Sequence, residues 1–251
     1  MLRGAYCIWE RDLKVFSRNL LPELITVVAF PITFFLAFAL GLQNYILDIE
    51  GVPYAIFVVP GLISMTAAMG AFDDGAWGLW FHRVVQGTIS EYRCNPITVY
   101  DIILGKIISG FTIACLKGSA IGIILFLLVD FPFRTPFLLS YSLFIFLGSM
   151  IFSCIGSICG TVIDKPENLG RLEAVVIWPL IFLAGLFFPL SVYPQKLLPY
   201  IKLVPTTALF DGARTALLAG KIDIGYLMIL FFCAGLSFIS AVIIFEKKMH
   251  Q

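Results

Sequence analysis

Leu183-Ala184-Gly185-Leu186-Phe187-Phe188-Pro189 opens a stretch that continues through Pro194, Leu197-Leu198-Pro199-Tyr200-Ile201 and Leu203-Val204-Pro205, staying apolar while prolines interrupt it. Five of the chain's thirteen prolines fall between Pro179 and Pro205. Each proline removes a backbone donor and crowds the preceding turn. Pro189, Pro194, Pro199 and Pro205 therefore cut the stretch into pieces shorter than the roughly 20 residues that cross a bilayer. Irregular backbone is tolerated at membrane depth only where protein or water satisfies it. The stretch predicts short re-entrant helices at one face of an all-α integral membrane protein.

Composition agrees. With 60% hydrophobic and 13% charged residues and a mean hydropathy of +0.97, the chain lies far from the roughly 25% charged content of soluble domains. A formal charge of +1 gives no polyanion-binding surface, which argues against nucleic acid as a partner. The six cysteines form no CxxC pair and sit mostly in apolar runs, so they read as small packed residues. The basic start, short apolar run and cleavage site of a signal peptide are not recognisable at the N-terminus.

Windows of about 20 apolar residues give six spans, at approximately Leu24–Leu47, Tyr54–Phe72, Ile102–Val129, Phe137–Ile163, Ala174–Leu190 and Ile224–Phe245. An even number puts both termini on one side. That side collects eleven Lys and Arg residues, Lys106 among them, against five on the other, so both termini are expected in the cytoplasm. Residues 1–23 form a separate element. Tyr6, Trp9, Leu13, Phe16 and Leu20 recur at steps of three and four, opposite Arg11, Lys14 and Arg18, which predicts an amphipathic helix along the membrane interface. It serves as a lipid anchor, a brace for a cytoplasmic partner, or both.

Residues 24–251 make one membrane domain with two notable connections, an inner loop at 73–101 and an outer re-entrant segment at 191–220. The inner loop opens on Asp73-Asp74-Gly75, passes Phe81-His82-Arg83, and reads Gln86-Gly87-Thr88-Ile89-Ser90-Glu91-Tyr92-Arg93-Cys94-Asn95-Pro96. A helix from about Trp77 to Tyr92 is expected there, ending before Asn95-Pro96 because the residue ahead of proline leaves the α region.

These motifs, in this order, resemble the permease subunit of type-2 ABC exporters. The resemblance runs from the interfacial helix and Pro60-Gly61-Leu62 through Gly87-Thr88-Ile89-Ser90-Glu91, Asn95-Pro96 and Leu104-Gly105-Lys106. It continues through Pro179-Leu180, Gly185-Leu186-Phe187-Phe188-Pro189, Leu198-Pro199, Val204-Pro205 and Arg214. It covers essentially the whole chain. The chain departs from the family pattern at Val204-Pro205, where Asn-Pro is frequent, and at Tyr92-Arg93-Cys94-Asn95, where Leu-Leu is common.

The resemblance implies a homodimer of this chain with two copies of an ABC ATPase subunit, sited in the cytoplasmic (inner) membrane among membrane lipid. ATP and Mg would be bound by the ATPase, with no cofactor in this chain; the sequence itself has no GxxxxGK[ST] loop to cradle phosphates. On that pattern Gln86, Gly87, Thr88, Glu91, Arg93, Asn95 and Pro96 are the expected ATPase contacts. The cargo would be a glycolipid, a polysaccharide or an amphipathic drug-like molecule.

The remaining expectations come from the residues themselves. Lys117 lies 13 residues before Asp130, roughly 20 Å along a helix, so it is expected to line the path or to pair with an acidic group. Pro189, Pro199 and Pro205 would set the bends of an outer gate, with Arg214 available for an anionic head group or as an interfacial anchor. The small-residue runs Gly118–Gly122 and Gly156–Gly160 suit close packing inside one subunit or across a dimer. Two other functions compete. An ATP-independent carrier would show broken helices in both halves. A membrane enzyme acting on lipid phosphate would use Asp73, Asp74 and His82 around a metal, yet no second acidic cluster accompanies them.

Overall fold

The two N-terminal helices meet at Asn19 and pack in opposite ways. In the computed structural model, which describes residues 2–41, 48–49, 51–87, 97–132 and 135–249, α1 (Leu2–Arg18) buries Ala5, Ile8, Asp12 and Phe16. The next helix, α2 (Leu20–Phe34), runs on into a wide π-helical turn at Phe35–Leu40 and stays largely uncovered. A short antiparallel pair, β1 (Asp48–Ile49) and β2 (Val52–Pro53), in register Asp48↔Pro53 and Ile49↔Val52, leads into α3 (Tyr54–Asp73).

The stripe that α1 buries is not the one its apolar spacing suggests. Tyr6 and Leu20 are exposed, and Asp12 is taken inside instead. The reason lies in the helix beneath, where Gly105 lets α1 settle close: a Cβ there would meet Ile8 and the Ala5 carbonyl within 3 Å.

The helix α3 is apolar all round, as a helix enclosed by protein must be. In its most apolar window 89% of residues are buried, against 17% for the first long helix and 22% for the last. Helicity does not stop at Phe72, where the span was expected to end. It continues through wide turns at Asp74–Gly78 and Phe81–Val85, so one helical run of 32 residues extends from Tyr54 to Val85, about 48 Å at 1.5 Å per residue. The expected helix starting near Trp77 is the far end of this run. Its continuation toward Tyr92 lies outside the described residues.

After the undescribed turn come α4 (Val99–Leu128) and α5 (Thr135–Val162). The start of α4 is set by a capping box: the Asp101 backbone N–H donates to the Thr98 hydroxyl, and the Thr98 backbone N–H donates to the Asp101 carboxylate, both at 3.2 Å. Where α3's wide turn crosses α5, Gly75, Gly156 and Gly160 bring backbone against backbone; a Cβ on any of them would overlap main-chain atoms of the other helix. The run Gly156–Gly160 therefore packs inside the subunit.

The fifth expected span is shifted. Helix α6 (Pro166–Leu172), a wide turn at Glu173–Ile177 and α7 (Trp178–Leu183) form one run that starts eight residues before Ala174 and ends before Pro189. Gly185, at φ +77°, turns the chain out of it. Rings of Phe34, Phe38, Phe182 and Phe187 stack across this break and tie it to α2. A 3-10 turn at Leu190–Val192 precedes α8 (Leu198–Lys202) and α9 (Pro205–Ala219). The chain ends in α10 (Ile224–Met249).

Among the described residues, five helices are long and apolar enough to cross a membrane: Leu20–Leu40, Tyr54–Val85, Val99–Leu128, Phe137–Val162 and Ile224–Lys248. The run from Pro166 to Leu183 is not one of the five. Its first turns carry Glu167, Arg171 and Glu173.

Candidate functional site

Charge is buried at both ends of α3, and the two ends use it differently. At the α1 end, Lys106 follows the capped start of α4 and is 1% exposed. Its ammonium lies 2.7 Å from Asp12 of α1 and 3.3 Å from Asp74 of the α3 extension. Ser109, one turn along the same face, donates to the other Asp74 oxygen at 3.0 Å. Three elements are thus tied through one cation. Arg11 also pairs with Asp12, at 2.7 Å. Burial alone would raise the Asp12 carboxyl, but Lys106 and Arg11 beside it hold it below the usual carboxylate range.

This cluster explains why helicity passes Asp73-Asp74. An unpaired carboxylate among apolar helices is expensive, whereas Asp74 has Lys106 and Ser109 as partners. His82, one helical run further, hydrogen-bonds Gln86 through Nδ1 at 2.6 Å and lies 3.8 Å from Asp12. Arg83 donates to the carbonyls of Gly160 and Ile163 and pairs with Asp164, while Trp77 donates to Glu173 at 3.2 Å. These bonds fasten the α3 extension to α5 and to the wide turn before α7. Asp73, Asp74 and His82 gather no metal-binding set; among the described residues no group of three His, Cys, Asp or Glu side chains does.

Lys117 stands level with Gly70, whose Cβ would meet its Cδ at 2.9 Å. It pairs with Glu23, near the start of α2, at 3.0 Å, and its ammonium lies 5.8 Å from the centre of the Phe16 ring. The acidic partner expected for it is therefore in the chain itself. Sequence reading counted Lys106 with the basic residues of the cytoplasmic side, at the start of a span, and passed over Asp12; the signal available was a lysine between Ile103 and Ile107, inside an apolar helix.

At the other end, Arg214 of α9 is 4% exposed. Its Nε donates to the Phe57 carbonyl at 3.1 Å, and its Nη2 donates to the carbonyls of Gly185 and Leu186 at 2.8 and 3.0 Å. The guanidinium lies 3.8 Å from the centre of the Phe57 ring, and Nη1 reaches Asp211 at 3.3 Å. The expectation of an Arg214 offered to a head group gives way to a guanidinium turned inward on backbone carbonyls. These belong to α3 and to the break after α7, whose backbone bonds the broken helix leaves open.

The prolines of the segment sit where they start helices. Pro205 is the first residue of α9, Pro199 lies in the first turn of α8, and Pro189 precedes the 3-10 turn. Of the expected ATPase contacts, Gln86 and Gly87 close the long helical run, Gly87 at φ +67°. Thr88, Glu91, Arg93, Asn95 and Pro96 lie outside the described residues.

Long apolar helices with buried ion pairs at one end and an arginine clamp at the other define a multi-pass membrane protein. The chain belongs to the ABC-2 type transporter family, whose model matches residues 5–218, and it is an ABC-2 permease. It is 23% identical to Nodulation protein J of Bradyrhizobium diazoefficiens over 244 residues, covering 96% of this chain and 92% of that one. It is 26% identical to the inner membrane transport permease YadH of Escherichia coli over 209 residues, covering 82% and 80%. Nodulation protein J of Rhizobium meliloti is 22% identical over 216 residues, covering 86% and 81%.

Proposed function

We propose that this permease is the membrane half of an ATP-driven exporter of glycolipids, polysaccharides or amphipathic drug-like molecules, powered by a separate ATPase subunit. The observation that carries the reading is the unbroken helical run from Tyr54 to Val85. One of its ends is held by Arg214. The other ends at Gln86 and Gly87, and the sequence that follows carries the remaining proposed ATPase contacts, Thr88, Glu91, Arg93, Asn95 and Pro96. A push on those residues moves a rigid rod, and the Asp12–Lys106–Asp74 cluster carries the displacement to α1 and α4.

In this reading the segment 191–220 is the outer gate, bent at Pro189, Pro199 and Pro205 and pinned by Arg214. The run Pro166–Leu183 completes six crossings, and both termini are cytoplasmic. The sparsely covered faces of α2 and α10 support a homodimer with two ATPase subunits. The relative described as an inner membrane transport permease supports the same location here. Co-purification with an ATPase and ATP-dependent export from vesicles are the expected results. Glu91→Lys should leave insertion intact while ATP hydrolysis no longer drives export. Transport by the lone chain on an ion gradient, without ATP, would replace this reading with a secondary carrier.

A further inference from the structure

Between α1, α2, α4 and α3 with its extension lies an open-sided cavity of about 530 Å³, within the size range of small-ligand sites. One wall is apolar, formed by Val15, Phe16, Pro22, Val27 and Ile113. The other carries the carboxylates Asp12, Glu23, Asp73 and Asp74, together with Lys117 and His82. Three of the four are answered: Asp12 and Asp74 share Lys106, and Glu23 holds Lys117. The side chain of Asp73, the last residue of α3, makes no hydrogen bond and no close ion pair among the described residues, and only the charge of Lys117, itself held by Glu23, bears on it across the cavity. Half-buried and facing the cavity, that carboxylate has no hydrogen-bond donor of its own and is open to one.

We propose that this cavity binds the ammonium head of an amphipath, with Asp73 as its acceptor and the apolar wall holding the start of its chain. An anionic head would meet four carboxylates and one lining lysine that Glu23 already holds, whereas an ammonium brings three donors to the carboxylate that has none, Asp73. Access is from the side of α2, which is lightly packed and whose Glu23 side chain is 44% exposed. The ligand is either a resident bilayer lipid with a primary amine or a transported amphipath; the second source rests on the export reading.

The test uses the full chain purified with its ATPase subunit in phosphatidylcholine nanodiscs, whose quaternary head groups carry no N–H. Radiolabelled dodecylamine should bind saturably and dodecanoate should not. Asp73→Asn should weaken the amine about tenfold, the worth of one charge-assisted hydrogen bond, and Asp73→Glu should retain it. If Asp73→Asn does not fold, Val27→Trp, on the lightly packed helix, should fill the cavity and abolish saturable binding. Equal binding of amine and acid, or amine binding indifferent to both substitutions, overturns the proposal. Competition by added phosphatidylethanolamine identifies the bilayer lipid as the source; undiminished binding identifies the transported amphipath. Binding is read without nucleotide, so loss of the site leaves ATP-driven export standing, and failure of export leaves the site.

Discussion

Lys106 and Arg214 are both cations buried at an end of α3, yet they are held by opposite kinds of partner. Lys106 is surrounded by side-chain carboxylates on two other elements, Asp12 and Asp74. Arg214 is surrounded mainly by main-chain carbonyls, those of Phe57, Gly185 and Leu186. Carboxylates carry full charge, so removing the cation leaves Asp74 with only the Ser109 hydroxyl and Asp12 with only Arg11. Carbonyls are neutral and fixed by the backbone, so geometry matters there more than charge. The first arrangement joins three elements side chain to side chain; the second ties one side chain to the backbone of two other elements.

The largest effect expected from this contrast is at Lys106. Lys106→Met strands Asp74 and leaves Asp12 to Arg11 alone, and should cost about 3–5 kcal/mol, seen as a large fall in the thermal unfolding midpoint of the purified protein. Adding Asp12→Asn and Asp74→Asn should restore most of the loss. A neutral Lys106→Met would break the comparison. Next comes Arg214→Lys, which keeps the charge but loses the planar fork and should cost about 2–3 kcal/mol in the same assay. If it proves as stable as the parent, charge rather than geometry holds that end.

Smaller still is Gly185→Ala. At φ +77° an added Cβ costs about 1–2 kcal/mol and meets Leu190 as well, so the α9 end should show faster amide exchange while the α1 end is unchanged.

The smallest effect is on pH. The Asp12 carboxyl is held below its usual value of about 3.9, so the stability it contributes is fully present above that value and is lost as pH falls through the lowered one. Amide protection of α1, corrected for intrinsic rates, should hold from pH 7 to about 4 and decline below. Asp12→Asn should remove Asp12's share of that acid dependence.

Composition alone announced helices in a membrane, because apolar windows need no knowledge of partners. Thus the starts of α3 at Tyr54 and α10 at Ile224 were legible to the residue. The end of α3 was not. A window counts Asp73-Asp74 as a stop, and nothing local says that Lys106 and Ser109, more than thirty residues away, make Asp74 tolerable inside. The buried stripe of α1 was hidden for the same reason: Asp12 reads as solvent-facing until Lys106 is known to lie beneath it. Wide turns have no compositional mark, so the early start of the run before α7 went unseen. Arg214 was legible as notable but not as a backbone clamp, since its acceptors are carbonyls that every residue carries.

Wide turns have a further consequence, for inheritance. A π-helical turn takes in one residue more than an α turn, and each residue of an α-helix advances the phase by about 100°. The turns at Asp74–Gly78 and Phe81–Val85 thus set the heading of the residues they carry and of all that follow, Trp77 of the first toward Glu173 and Arg83 of the second toward Gly160. A one-residue deletion in either would barely shorten the rod, yet would swing its tip by more than a quarter revolution. The number of residues from Asp74 to Val85 is therefore constrained separately from their identities, and gene variants that change that count should be rarer than those that change its letters.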